Sequence, residues 1–465
     1  MNKKINLFKN IAIMALVALC IMQTIQLWFD GFSSRNFIAS FFSRDSESSA
    51  TETLGSLVRP FRIVLPKDDG FTLLYGDEER ANLRAQGDAA LSLLMRRGEF
   101  SASYALDVPA LLKMGGMLYE YAVPVPSEAY GRFFQARAGF LTNRFRTFDR
   151  IVFIPQTGQD NEIHIVFADS ATQTCHEYVV RQAELGADLR TALAAQPSAD
   201  VIYRATALDE ERRFAENMFY AEWGAGGLPY SRLQTYSPYG EITIGNIERF
   251  VLSFFEVPGD VMWDVDDSVF TYRDANAIVK YYPNNVLEFS NYRAYRGTAT
   301  NSFATAYAAA VNVLQRDKGV LNEYYLSSYA QVGESWFFTF DYTVNGYPVF
   351  ISQNLAQSLA QTQLQNQDAR AEMSNMIEIE VQHDRVRKYK RYGLAFEVDS
   401  MSSAVKRTGF WQTIENALEG HAAAEGSSAL PIRAAAFGYR ADGTPQLSLQ
   451  WLIYDESGMP LPSFD

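Results

Sequence analysis

The chain has 465 residues, 48% of them hydrophobic, 20% charged and 14% aromatic, with a net charge of −13. That apolar content excludes a disordered chain, and 29 Gly with 16 Pro exclude a collagen-like or low-complexity one. The acidic balance also excludes nucleic acid as an expected partner, because neutralising phosphates needs clustered Lys and Arg.

The first feature along the chain is an apolar run over 11–29, preceded by Lys3, Lys4 and Lys9 and followed by Asp30. At 1.5 Å per residue such a run spans about 28 Å, close to the thickness of bilayer hydrocarbon. The reading is a cytoplasmic tail over 1–10, a transmembrane anchor over 11–29 and an extracytoplasmic remainder, since the positive flank stays inside. The run ends in Gln26-Leu-Trp-Phe-Asp30, which lacks the small residues of a signal-peptide cleavage site, so the anchor is read as retained. Ala12, Ala15 and Ala18 recur every three residues, and Gln23 follows. Small residues let helices approach and an amide can hydrogen-bond across them, so these four are candidate partner contacts beside the plainer reading of an ordinary Ala-containing anchor. Cys20 lies in the run and Cys175 far outside it, so no intrachain disulfide is expected. Ser-rich residues 30–56 read as a linker or stalk.

Residues 57–150 read as a helix-rich N-terminal domain. It holds a short strand at 61–66, a helix over 77–95 with Leu83, Leu91, Leu93 and Leu94 as core positions, an extended segment at 119–124, and a helix over 128–141 capped by Ser127. Past 150 the apolar period changes to two. A central domain over 151–295 is predicted with strands at 151–154, 163–167, 175–180 and 201–203. A helix at 244–255 follows, then strands at 267–272, 277–282 and 286–289, the last two joined by Asn284-Asn285. A C-terminal domain over 296–465 repeats the order. It has a helix at 303–317, strands at 323–329, 335–343, 347–351 and 376–381, a helix at 410–418, and a final hairpin at 432–440 and 447–454. The expected fold class is α+β: a single N-terminal transmembrane helix, a helix-rich ectodomain, then two related α+β domains of helix plus antiparallel sheet.

Motifs for chemistry fail one by one. Ser403-Ala-Val-Lys406 matches the Ser-x-x-Lys pair of penicillin-binding proteins, but no Ser-Asp-Asn follows, and Arg407-Thr-Gly409 abuts the Lys instead of lying far downstream. His176-Glu177 opens a zinc pattern that Val180 breaks, on a segment that reads as a strand. Asp264-Val-Asp-Asp267 starts like a calcium loop, lacks its Gly and closing Glu, and reads as an exposed acidic turn. Gly224-Ala-Gly-Gly-Leu-Pro229 has Pro in place of the third Gly of a dinucleotide fingerprint. No catalytic, cofactor or metal site is therefore expected. The remaining surface candidate is the basic island Arg385, Arg387, Lys388, Lys390 and Arg391, which reads either as the solvated face of a strand or as a partner-binding patch.

Several segments, in order, resemble the YycH family of extracytoplasmic regulators. They are the N-terminal anchor, Pro60-Phe-Arg-Ile-Val-Leu65, Phe270-Thr-Tyr-Arg-Asp274 followed by Val286-Leu-Glu-Phe-Ser-Asn291, Trp336-Phe-Phe-Thr-Phe340 with Asn345-Gly-Tyr-Pro-Val-Phe350, and Val386-Arg-Lys-Tyr-Lys-Arg391. The resemblance implies a three-domain, non-catalytic protein in a membrane complex with the sister protein YycI and the sensor histidine kinase WalK (YycG), which controls cell-wall homeostasis. An extracytoplasmic wall-modifying enzyme and a ligand-binding ectodomain are the alternatives from other classes.

Overall fold

The computed structural model describes residues 58–67, 70–74, 77–156, 162–196, 203–205, 219–221, 230–240, 243–266, 269–293, 301–344, 347–351, 375–402, 432–441 and 446–455. The expected anchor, with Ala12, Ala15, Ala18 and Gln23, lies outside these residues, as do Ser403, Lys406 and the expected helix at 410–418. Residues 55–465 form one compact unit.

Among the described residues the strands fall into two sheets. The first holds β1 (Arg62–Lys67), β2 (Gly70–Leu74), β3 (Glu99–Ala105), β4 (Met117–Pro126), β5 (Thr147–Pro155), β6 (Glu162–Asp169), β7 (Thr174–Arg181), β8 (Tyr203–Ala205) and β9 (Phe219–Ala221). Their order is β3-β7-β6-β5-β4-β1-β2-β8-β9. One face carries Ile63, Tyr119, Ile151 and Phe167 in a single cross-strand row, with Phe153, Ile165 and Tyr178 in the next. Helices α1 (Asp77–Arg97) and α4 (Ala183–Ala194) close this face through Leu83, Leu91, Leu94 and Leu189. The short helices α2 (Val108–Lys113) and α3 (Ser127–Phe133) lie between them in the chain. Asp107 caps α2, its carboxylate accepting from the Ala110 N–H at 3.0 Å.

The second sheet holds the other strands: β10 (Tyr230–Tyr236), β11 (Met262–Asp266), β12 (Val269–Arg273), β13 (Ala277–Tyr281), β14 (Val286–Asn291), β15 (Glu323–Val332), β16 (Ser335–Val344), β17 (Tyr347–Ile351), β18 (Ile377–Gln382), β19 (Arg385–Tyr392), β20 (Ala395–Ser402), β21 (Ile432–Ala441) and β22 (Gln446–Asp455). The order is β11-β12-β13-β14-β19-β18-β16-β17-β21-β22-β10-β20, with β15 paired to β16 off that path. The expected Asn-Asn turn joins β13 to β14, with Asn285 at φ 65°, a left-handed conformation Asn tolerates. Helices α5 (Ile244–Val251) and α6 (Phe303–Arg316) follow the expected helical segments. In α6 the residues Phe303, Ala306, Tyr307, Ala310, Val311 and Leu314 form a helical stripe that is buried. Ser302 caps α6 by accepting from the Thr305 N–H at 3.3 Å. Ser302→Ala is expected to lower stability by about 1 kcal/mol, read as a lower midpoint of urea unfolding.

This corrects the expected architecture of a helix-rich domain ahead of two related α+β domains, while the expected membrane helix at 11–29 lies outside the described residues. The first described region is a sheet with helices packed on it, and β5–β7, which the period-two pattern assigned to the central stretch, pair into that sheet. β8 and β9 join it too, and the remaining strands of the central and C-terminal stretches form one sheet, joined where β14 pairs with β19. No helix among the described residues is long and apolar enough to cross a membrane. Local periodicity identifies a strand; it carries no information on which strand, some hundred residues away, completes its ladder.

Candidate interaction surface

The basic island forms β19, and its register decides what each residue does. Lys388 and Lys390 lie on the outer face of the second sheet. Lys390 stands opposite Glu288 of β14 on one side and Glu378 of β18 on the other, and is only 8% exposed. Lys388 pairs with Glu380 at 3.1 Å. Arg385 and Arg387 donate to the Arg293 carbonyl at 3.3 and 2.8 Å, and Arg293 in turn holds Glu256 at 2.8 Å. The island is thus balanced by its neighbours rather than gathered into a patch.

Arg391 points to the opposite, helix-covered face and is fully buried, as is its partner Asp317 just past α6. The Asp317 carboxylate accepts from Arg391 Nε at 2.7 Å and Nη2 at 3.3 Å, from the Tyr389 hydroxyl at 2.7 Å and from the Gly319 N–H at 2.8 Å. Arg391 Nη2 also donates to the Tyr239 hydroxyl. Burial alone would lower the Arg391 pKa, but the Asp317 charge and the surrounding tyrosine hydroxyls outweigh it and hold the value well above the ordinary one. A Cβ at Gly319 would collide with Arg391 Nη2, so a side chain there would have to displace the guanidinium from this network. This network ties β10's trailing loop, the end of α6 and β19 together. The basic-patch reading is therefore corrected for Arg391 and Lys390, which have almost no surface to offer a partner.

The first sheet carries a matching arrangement on the face away from α1. Arg62, Glu120 and Arg150 stand directly opposite one another on β1, β4 and β5. Glu120 pairs with Arg62 Nε and with Arg150 Nη2 at 3.2 Å. The two sheets meet through aromatic contacts. Phe61 packs on Tyr325 at 4.9 Å between centroids, Phe133 on Tyr307 at 6.0 Å, and the Tyr329 hydroxyl donates to the Pro124 carbonyl at 2.9 Å. A narrow cleft at this junction is lined by Val58, Phe61, Tyr121, Tyr307 and Tyr325 among others. Its lining is mainly apolar and aromatic, with Arg59 as its charged side chain, which supplies no nucleophile–base pair.

His176 and Glu177 lie on β7, as the strand reading required. His176 hydrogen-bonds Ser103 at 2.9 Å and stacks on Phe145 at 5.0 Å, while Glu177 holds His164. Partial burial and the nearby Arg144 charge lower the His176 pKa. Among the described residues no group of three or more His, Cys, Asp or Glu could hold a metal ion.

Sequence reasoning missed one surface. The expected acidic turn at 264–267 is, through Asp266, the edge strand β11, and every residue of it is exposed. Met262 and Trp263 are the bulkiest apolar groups there. The signal was present as period-two alternation in Met262-Trp-Asp-Val-Asp266, masked by the resemblance to a calcium loop.

No protein-family model matches the sequence, and no curated protein matches it significantly. Two solved structures are similar in shape. An uncharacterised protein from Eubacterium rectale covers 55% of this chain and 85% of its own, at 8% identity and a TM-score of 0.34. YycH from Bacillus subtilis covers 88% of this chain and 96% of its own, at 12% identity and a TM-score of 0.53. The chain therefore has a YycH-like fold, which agrees with the order of segments that resembles that family.

Proposed function

We propose that this chain is a non-catalytic regulator of a cell-wall-sensing histidine kinase of the WalK (YycG) kind, acting together with a YycI-like membrane protein. The observation that carries the reading is the likeness of the fold to YycH, beside the order of segments along the chain. The fold matches YycH over 88% of this chain, and the segments resembling that family occur in order along the sequence. In this reading the bulk of the chain is extracytoplasmic and the apolar run at 11–29 holds it at the membrane, with Ala12, Ala15, Ala18 and Gln23 turned to the partner. Regulation then works by linkage: a protein that binds two signalling states of the kinase unequally shifts their populations.

The test is co-purification with the kinase from membranes, alongside transcription of kinase-dependent genes, in cells carrying the chain, lacking it, or carrying Ala15→Leu with Gln23→Leu. Loss of the chain is expected to change transcription only when the kinase is present. The double substitution should weaken co-purification by roughly 2- to 30-fold, the equivalent of an interhelical contact of about 0.5–2 kcal/mol. Equal transcription with and without the chain, in the presence of the kinase, would remove the regulatory reading.

A further inference from the structure

The covered face of the second sheet runs in rows across its strands, and the cover stops one strand short of the edge. In one row Tyr389, Phe289, Val279 and Tyr272 follow each other on β19, β14, β13 and β12, all buried, and Tyr272 is 1% exposed. The next residue of that row is Trp263 on β11, at 52%. The adjacent row runs from buried Leu287 and Tyr281 through Phe270 to Val265, at 40%. On its far side β11 has no strand among the described residues, and the Val265 N–H is met by the neighbouring Asp264 carboxylate at 2.9 Å.

Natural edge strands are usually blunted with Lys, Pro or a bulge. Here the edge instead presents a Trp and a Val on one face and Met262, Asp264 and Asp266 on the other, and 256–266 contains no Lys or Arg. We propose that β11 is a docking edge that accepts an extended segment of a partner protein in which apolar residues alternate with Lys or Arg. Main-chain hydrogen bonds would extend the sheet by one strand, the partner's apolar residues would cover Trp263 and Val265, and its cations would face Asp264 and Asp266. A second copy of this chain is a poor occupant, because antiparallel self-pairing centred on Asp264 sets that carboxylate opposite its own copy. The proposal stands on the geometry of the edge and does not depend on the kinase reading.

The probe is a fluorescein-labelled decapeptide of alternating Lys and Val, with an alternating Glu and Val peptide as its counterpart, titrated with the full-length chain by fluorescence anisotropy. The Lys/Val peptide is expected to bind at least about tenfold more tightly, and Trp263→Thr with Val265→Thr to weaken it by about tenfold or more. Asp264→Lys with Asp266→Lys should reverse the preference between the two peptides. These side chains are exposed, so unchanged circular dichroism serves as the folding control. Equal binding of both peptides, or Lys/Val binding indifferent to all four substitutions, would overturn the proposal. So would a concentration-dependent dimer abolished by Trp263→Thr, which would assign the edge to a second copy.

Discussion

Asp317→Asn is expected to destabilise the protein by about 3–5 kcal/mol, a large part of the stability of an ordinary domain. The substitution leaves the Arg391 guanidinium charged and buried with no counter-charge in contact, and it weakens the acceptor that the Tyr389 hydroxyl and the Gly319 N–H share. Arg391→Met alone should cost less than Asp317→Asn, because the guanidinium that Asp317→Asn leaves behind keeps its charge at any working pH, whereas Arg391→Met removes the cation itself. The pair Asp317→Leu with Arg391→Met should recover at least half of the loss, since apolar residues of similar volume avoid desolvating either ion. Urea unfolding of the three variants measures this. Equal loss in all three would mean that the tyrosine hydroxyls, not the ion pair, hold the network.

Glu120→Gln is expected to cost a similar amount, about 3–5 kcal/mol, because it takes the shared carboxylate from two largely buried cations, Arg62 and Arg150, on the strands flanking β4. It also has a pH signature. Burial by itself would raise the Glu120 carboxyl; the Arg62 and Arg150 charges, together with their hydrogen bonds, overcome that and hold it below its ordinary value of 4.5. A carboxylate with a lower pKa folded than unfolded contributes stability that is fully present above the unfolded value and disappears as pH falls through the folded one. The wild-type chain should therefore lose stability as pH drops below about 4.5, and Glu120→Gln should lack that component. Thermal midpoints between pH 6 and pH 3 give the comparison. A variant whose midpoint falls as steeply in acid as the wild type would place the acid sensitivity elsewhere.

The sequence was most legible where a local pattern decides the outcome. The α6 stripe from Phe303 to Leu314, the β13–β14 turn and the β15–β16 strands all follow from spacing and turn residues. It was least legible where partners are distant. Nothing near Arg391 announces Asp317, 74 residues earlier, or Tyr239, 152 residues earlier, so a strand rich in Lys and Arg read as a solvated face. Strand β3 escaped notice because Glu-Phe-Ser-Ala-Ser-Tyr-Ala offers few apolar positions, and it belongs to the sheet only through its ladder with β7. Neither the periodicity nor the YycH resemblance pointed to the joining of the last two stretches into one sheet.

Strand β10 lies between β22 and β20 in the second sheet. Its neighbours are the last described strand of the chain and one that begins at Ala395, so Tyr230–Tyr236 must wait through more than 150 residues of synthesis for either flank. Strands β1–β7 can finish their ladders while the rest of the chain is still being made. The second sheet cannot, and such long-range pairing folds slowly while its unpaired segments stay exposed to aggregation. Premature termination ahead of β22 would thus leave an intact first sheet tethered to an unfinished second one, a product that quality-control proteases should recognise by its open β-strands.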